Sequence, residues 1–344
     1  MKSCNIGGQG VLEGVMMRSP EYSALAVRKA DGSIVTKKWK NPKKNEKWKK
    51  IPVVRGVVNL VEMLYSGTGV ISDSAKMFDE TFEEEPSKLE KYIAKKTGKN
   101  AMDIMMVFAV FFAIILSVGL FFILPTFLAS FFRKFIPSEL VNSLLEGLIR
   151  VIILIGYMIF CTCVKDVRRV FMYHGAEHKT ISCYENEEEL TVENVRKHRR
   201  LHPRCGTSYM LLVMIVSILI YAILGELGLN KIHWSVKYLS KIIVIPLIAG
   251  IAYEILKGAA KHENWFTRAI RWPGMQLQRL TTKEPDDSML EIGIIAFEMA
   301  LEEKSEKEIA ELIAKFDRSE KTEVLAEDSP AEETPAEPAE EKAE

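Results

Sequence analysis

The stretch 104–132 carries no charged side chain, and as a helix it is long enough to cross a hydrocarbon layer, which takes about 20 residues. Backbone amides in lipid must be satisfied within their own segment, so such a run commits the chain to a helical membrane architecture. Three further stretches read the same way. Residues 141–164 form the second, with Glu146 and Arg150 four apart and able to pair on one helical face. Residues 207–224 form the third, and 242–256 the fourth and shortest, with Glu254 towards its far end.

Apolar and charged residues coexist here at 48% and 27%, which implies that they are segregated along the chain. The formal net charge of zero hides an acidic tail: residues 319–344 hold ten Asp/Glu against two Lys, leaving a basic body. Basic flanks on apolar segments point to anionic lipid, and no nucleic-acid motif is present. The five cysteines are odd in number and two, Cys161 and Cys163, lie in an apolar run, so free thiols in a reducing compartment are expected. Residues 1–20 lack the pattern of a secretory signal.

Lys and Arg concentrate in 88–99, in 165–204 and after the fourth span (Lys257, Lys261, Arg268, Arg271), and are sparser in 133–139 and 230–241. The positive-inside rule then predicts a multi-pass protein of the plasma membrane with both termini and the long middle loop in the cytoplasm.

The expected fold is a mainly α membrane protein with about four transmembrane helices, a small α+β N-terminal cytoplasmic region and a helical C-terminal cytoplasmic region. Its parts are 1–100, the N-terminal region; 101–260, the membrane domain with cytoplasmic loop 165–206; 261–318, the C-terminal helices; and 319–344, an acidic tail too poor in apolar residues to fold. Within the first part, Asp31-Gly32 marks a hairpin between strands at 24–29 and 34–39. The Lys-rich stretch 37–50, with Trp39 and Trp48, reads as a solvated loop, with rest on a lipid headgroup layer as the alternative, and 53–78 as one or two helices packed on the membrane surface or in the re-entrant zone. Residues 288–316 read as an amphipathic helix pair. Gly7-Gly8-Gln9-Gly10 lacks the Gly-Lys-Ser/Thr ending of a phosphate loop and reads as a tight turn into a strand through 11–17.

The densest chemistry lies just after the second span, in Tyr173-His174-Gly175-Ala176-Glu177-His178-Lys179. If the helix continues, His174 and His178 stand one turn apart on one face, the spacing at which two imidazoles hold one zinc ion. Glu177 can then take a proton from water, in the His-x-x-Glu-His order of the inverted zincins. The bland alternative is an interfacial helix whose His and Glu pair with each other and with Lys179. A third ligand is required, and Glu254 is the leading choice, because an acid within a span points to a partner or a cavity; a bond to Lys257 is the alternative. A second cluster, His198, His202 and Cys205, repeats the one-turn spacing and could hold a second metal or complete the first site. Arg199, Arg200 and Arg204 interleave it and favour an anion or lipid headgroup instead.

The strings Gly7-Gly8-Gln9-Gly10-Val11-Leu12-Glu13-Gly14-Val15-Met16-Met17-Arg18, Tyr173 to Lys179, His202-Pro203-Arg204-Cys205-Gly206-Thr207 and Pro273-Gly274-Met275-Gln276-Leu277-Gln278 occur here in order. Together they resemble the YqhQ-like family of bacterial multi-pass membrane proteins over most of the chain. That resemblance implies a membrane protein and a metal-dependent enzyme, without a substrate. It adds Gln9, Glu13 and Arg18 to the positions that could do chemistry, with Glu13 and Arg18 closing over the motif. The function expected is a membrane-embedded, zinc-dependent hydrolase or peptidase at the cytoplasmic face, acting on a membrane protein or lipid. The alternative is a non-enzymatic factor that binds lipid or assists assembly or insertion of other membrane proteins.

Overall fold

The computed structural model describes residues 5–41, 50–78, 101–228, 233–261 and 264–319. Four short strands come first: β1 (Gly7–Val11), β2 (Gly14–Arg18), β3 (Tyr22–Arg28) and β4 (Ile34–Lys40), an antiparallel meander in sequence order. The hairpin at Asp31-Gly32 forms as expected, with Gly32 at φ +89° and Asp31 accepting from the Ser33 amide at 2.8 Å. The glycine run, however, is itself a strand. Val11 pairs with Gly14 across Leu12 and Glu13, and Glu13 takes the left-handed turn at φ +49° inside the expected strand 11–17.

Among the described residues eleven helices follow: α1 (Val54–Phe78), α2 (Ala101–Val118), α3 (Leu124–Ser130), α4 (Glu139–Cys163), α5 (Lys165–Glu185), α6 (Val192–Lys197), α7 (Gly206–Glu226), α8 (Trp234–Lys261), α9 (Trp265–Thr281), α10 (Asp287–Leu301) and α11 (Glu306–Phe316). A π turn at Gly119–Ile123 joins α2 to α3. Among the described residues, four segments are long and apolar enough to cross a membrane: Val107–Ser130, Glu139–Cys163, Gly206–Glu226 and Leu239–Ala259. The protein is therefore a mostly helical, multi-pass membrane protein with a small N-terminal sheet and C-terminal helices. The acidic tail beyond 319 and Trp48 lie outside the described residues.

Inside the bundle, Arg150 reaches Glu146 on its own helix at 3.1 Å, the i to i+4 pairing expected from the spacing. Lys241, read from sequence as part of an external loop, also ends on Glu146, and Thr126 donates to the same carboxylate at 2.9 Å. The Arg150 Nε is satisfied by the Phe121 carbonyl of the π turn at 2.9 Å. Three charges so paired meet the requirement that buried ionic groups in lipid find partners.

The largest core lies outside the spans. Every residue of α10 from Met289 to Ala300 is buried, so this helix is enclosed on all sides rather than amphipathic. Its Leu290, Ile294 and Phe297 pack with Val15, Met17, Ala24 and Ala26 of the sheet and with Tyr173, Ala176 and Ile181 of α5. Each such large apolar side chain contributes roughly 1.5–3 kcal/mol by leaving water. The sheet and α10 thereby fix α5, which carries the His-Glu-His motif. The opposite face of the sheet rests on Val70 of α1, a single helix that also packs on α8 where Gly56 meets Gly250.

Candidate metal centre

Helix α5 is not a continuation of the second span. Val164 adopts extended backbone, φ −80° and ψ 121°, ending α4 and starting α5, so the motif sits on an independently oriented helix. Strand β1 lies against it so closely that a Cβ on Gly10 would stand 2.4 Å from the His174 nitrogen, and one on Gly8 would stand 3.0 Å from Glu177 Cγ. Only glycine permits that approach.

The two motif imidazoles are held alike. His174 Nδ1 lies 2.9 Å from the Thr281 carbonyl at the end of α9, and His178 Nδ1 lies 2.6 Å from the Arg200 carbonyl. A carbonyl can only accept, so both rings carry their proton on Nδ1 and present a bare Nε2 lone pair. This is the arrangement by which outer-shell carbonyls orient metal-binding histidines. A ring nitrogen of each His and Cys205 Sγ lie within 4.8 Å of one another, a set able to hold a metal ion. The His174 Nε2 to Cys205 Sγ separation is 3.3 Å. Nitrogen and sulfur bound to one tetrahedral zinc would stand roughly 3.5 Å apart.

Glu177 completes the cluster. Its Oε2 lies 3.7 Å from His174 Nε2 and 3.5 Å from His178 Nε2, and it is buried without a hydrogen bond. Burial pushes its carboxyl up to about 7, offset in part by His174 and by the Gly8 amide, which donates to it. His202 packs beside His178, ring centroids 5.7 Å apart, and burial pulls it down to about 4. Its Nε2 therefore donates as neutral imidazole to Glu185 at 3.2 Å.

The second expected cluster does not assemble, because its members face three ways. Cys205 joins His174 and His178, His202 turns to Glu185, and His198 stands 3.3 Å from Glu188. His198, Glu188 and Cys183 make another group of donors able to hold a metal. There the thiol is the weaker ligand: burial pushes Cys183 up to about 11, and its sulfur faces the Glu189 carbonyl at 3.6 Å.

Glu254, expected as the third ligand, is engaged by Arg55. Its carboxylate accepts from Arg55 Nε at 2.6 Å, from Arg55 Nη2 and from the Val53 amide at 3.3 Å, tying the start of α1 to the fourth span. Arg204 pairs with Glu185, Arg199 is exposed, and the loop reaches the His pair through the Arg200 carbonyl rather than through a guanidinium. Glu13 binds Arg169 and accepts from Tyr173 at 3.1 Å, clamping the β1–β2 turn onto α5 one turn before His174. Gln9 lies 3.5 Å from the Gly67 carbonyl, and Arg18 lines a cavity of about 360 Å³ between β1 and α1. Sequence reasoning missed the Gly8 amide and the two carbonyls, since backbone groups leave no mark in a residue pattern.

A family model described as a protein of unknown function (DUF1385) matches residues 51–303. The uncharacterized protein YqhQ of Bacillus subtilis (strain 168) is 35% identical over 301 residues, covering 85% of this chain and 90% of that protein. No solved structure matches the chain.

Proposed function

The chain belongs to the DUF1385 family of YqhQ-like proteins, and we propose that it is a zinc-dependent hydrolase embedded in the plasma membrane and acting at its cytoplasmic face. One observation carries this reading: two imidazoles anchored through Nδ1 both turn Nε2 towards Glu177, and a ring nitrogen of each gathers with Cys205 Sγ. His174, His178 and Cys205 would hold the zinc, an N and S donor set suited to that ion. Zinc held there would polarise a carbonyl and acidify water. Glu177 takes the proton from the attacking water, and a carboxyl near neutrality suits both accepting that proton and giving it up. The Gly8 amide orients the carboxylate. The density of Lys and Arg beside α5 supports a cytoplasmic location for the site and for both termini.

Purified protein is expected to carry about one equivalent of zinc, and His174→Ala with His178→Ala to remove it. Full occupancy in that double variant would contradict the site. Glu177→Gln is expected to keep the metal and lose turnover.

The burial of Glu177 favours a second reading, in which its unpartnered Oε2 is a fourth ligand and the zinc is structural. The protein would then be a non-enzymatic factor that binds lipid or assists assembly or insertion of other membrane proteins. Loss of zinc in Glu177→Gln would select it.

A further inference from the structure

The chain leaves α5 at Glu185 and comes back against it at His198, and three side chains of that excursion converge. Cys183, in the last turn of α5, is wholly buried. Glu187 takes a left-handed turn at φ +62°, and the Glu188 amide donates back to the Cys183 carbonyl at 3.3 Å. α6 then follows, with Thr191 accepting from the Asn194 amide at its start, Val195 buried beneath it and His198 as its C-cap. Cys183 Sγ, a Glu188 carboxylate oxygen and a ring nitrogen of His198 thereby lie within 4.8 Å of one another. None of the three belongs to the His174, His178 and Cys205 set.

The imidazole is the group that asks for a cation. His198 Nδ1 lies 3.4 Å from Ser182 Oγ, while Nε2 is buried with no hydrogen bond among the described residues and stands 3.3 Å from Glu188 Oε2. With the ring proton on Nδ1 and donated to Ser182, a bare nitrogen faces a carboxylate oxygen, and two acceptors so close need a positive charge between them. A second ring proton would supply that charge but has no use for the sulfur. A metal engages all three donors. Sulfur, nitrogen and oxygen together suit zinc, whereas calcium and magnesium take oxygen alone. Thiolate and carboxylate also match the two charges of the ion. The His198 side chain is 12% exposed and that of Glu188 45%, so the site opens to solvent on its carboxylate side, which gives the ion a way in and water a fourth position.

We propose that Cys183, Glu188 and His198 form a second zinc site, weaker than the first, that staples the 186–198 excursion onto the end of α5. The same stretch runs on to the Arg200 carbonyl and to Cys205 of the first centre. The second site is the weaker one because it offers a single imidazole, a half-exposed carboxylate and a thiol whose sulfur faces the Glu189 carbonyl at 3.6 Å, a contact that binding must break. Zinc takes the sulfur electron pair, and the thiol proton passes to solvent. The site fills only in excess of the equivalent that the first centre retains, and it empties on desalting.

The test is zinc titration of the full-length chain in detergent against a chromophoric chelator. The parent is expected to take about one equivalent beyond the first, held roughly tenfold or more weakly. Glu188→Gln, a change of near-constant size at a half-exposed position, is expected to weaken that further equivalent roughly tenfold and to leave the first in place. His198→Ala and Cys183→Ser are expected to do the same. No further equivalent in the parent would overturn the site and leave a ring proton between His198 and Glu188. A further equivalent that binds Glu188→Gln and His198→Ala as it binds the parent would overturn it too, by placing the ion elsewhere. Absence of the tight equivalent while the weak one still responds to these substitutions would remove the hydrolase reading and leave this inference standing.

Discussion

Glu177 and His202 flank the same imidazole, His178, and burial shifts them in opposite directions. His202 is pulled from 6.5 to about 4, so the unfolded chain binds a proton that the folded one refuses. Its contribution to stability is present above pH 6.5 and lost as pH falls through about 4. Glu177 is pushed from 4.5 to about 7, so its contribution is present below pH 4.5 and lost as pH rises through about 7. Each is at most about 3 kcal/mol, and in metal-free protein they oppose each other across most of the same window. Glu177→Gln is therefore expected to unmask His202. Thermal midpoints of chelator-treated variant should climb from pH 4 to 6.5 and then level, whereas the parent should stay flatter and decline towards neutrality. Coincident profiles would contradict the assignment.

Among the elements, β1 is the one whose placement depends most on having no side chains. A Cβ on Gly10 would meet α5 backbone at 2.4 and 2.5 Å, atoms that cannot swing aside, while one on Gly7 would meet nothing. Gly10→Ala should cost about 1–3 kcal/mol by urea unfolding and weaken zinc binding, with Gly7→Ala neutral in both; equal stabilities would show that β1 does not press on α5. The spans were legible because hydropathy accumulates over many residues. The glycine strand was not, since glycine carries no alternation, and the extended residue Val164 that frees α5 from α4 resembles any apolar residue of a span. α10 reads as amphipathic in sequence because Glu291 and Glu298 suggest a wet face; both are instead buried against Arg28, Arg318 and Lys304.

At the scale of the whole molecule, two polar clusters hold distant parts of the chain together. In the bundle, Glu146 joins Arg150 and Lys241, so Glu146→Gln leaves two buried cations short of their counter-ion. A loss of about 3–5 kcal/mol is expected, read as a lower melting temperature in detergent; an unchanged melting temperature would contradict the network. The metal centre gathers pieces equally remote: the His pair from α5, Cys205 from the entry to α7, and carbonyls of Arg200 and Thr281. The His-x-x-Glu-His spacing was legible because it is local to one helix turn. The third donor was not fixed by spacing, and an acid inside a span made Glu254 the stronger expectation until Arg55 was found beside it. The most direct measurement is cobalt substitution with metal analysis of the parent, Cys205→Ser and Glu254→Gln. About one equivalent of metal is predicted, with an intense thiolate-to-cobalt absorption in the parent and in Glu254→Gln that is absent from Cys205→Ser. Persistence of that band without Cys205, or loss of the metal without Glu254, would contradict the centre described.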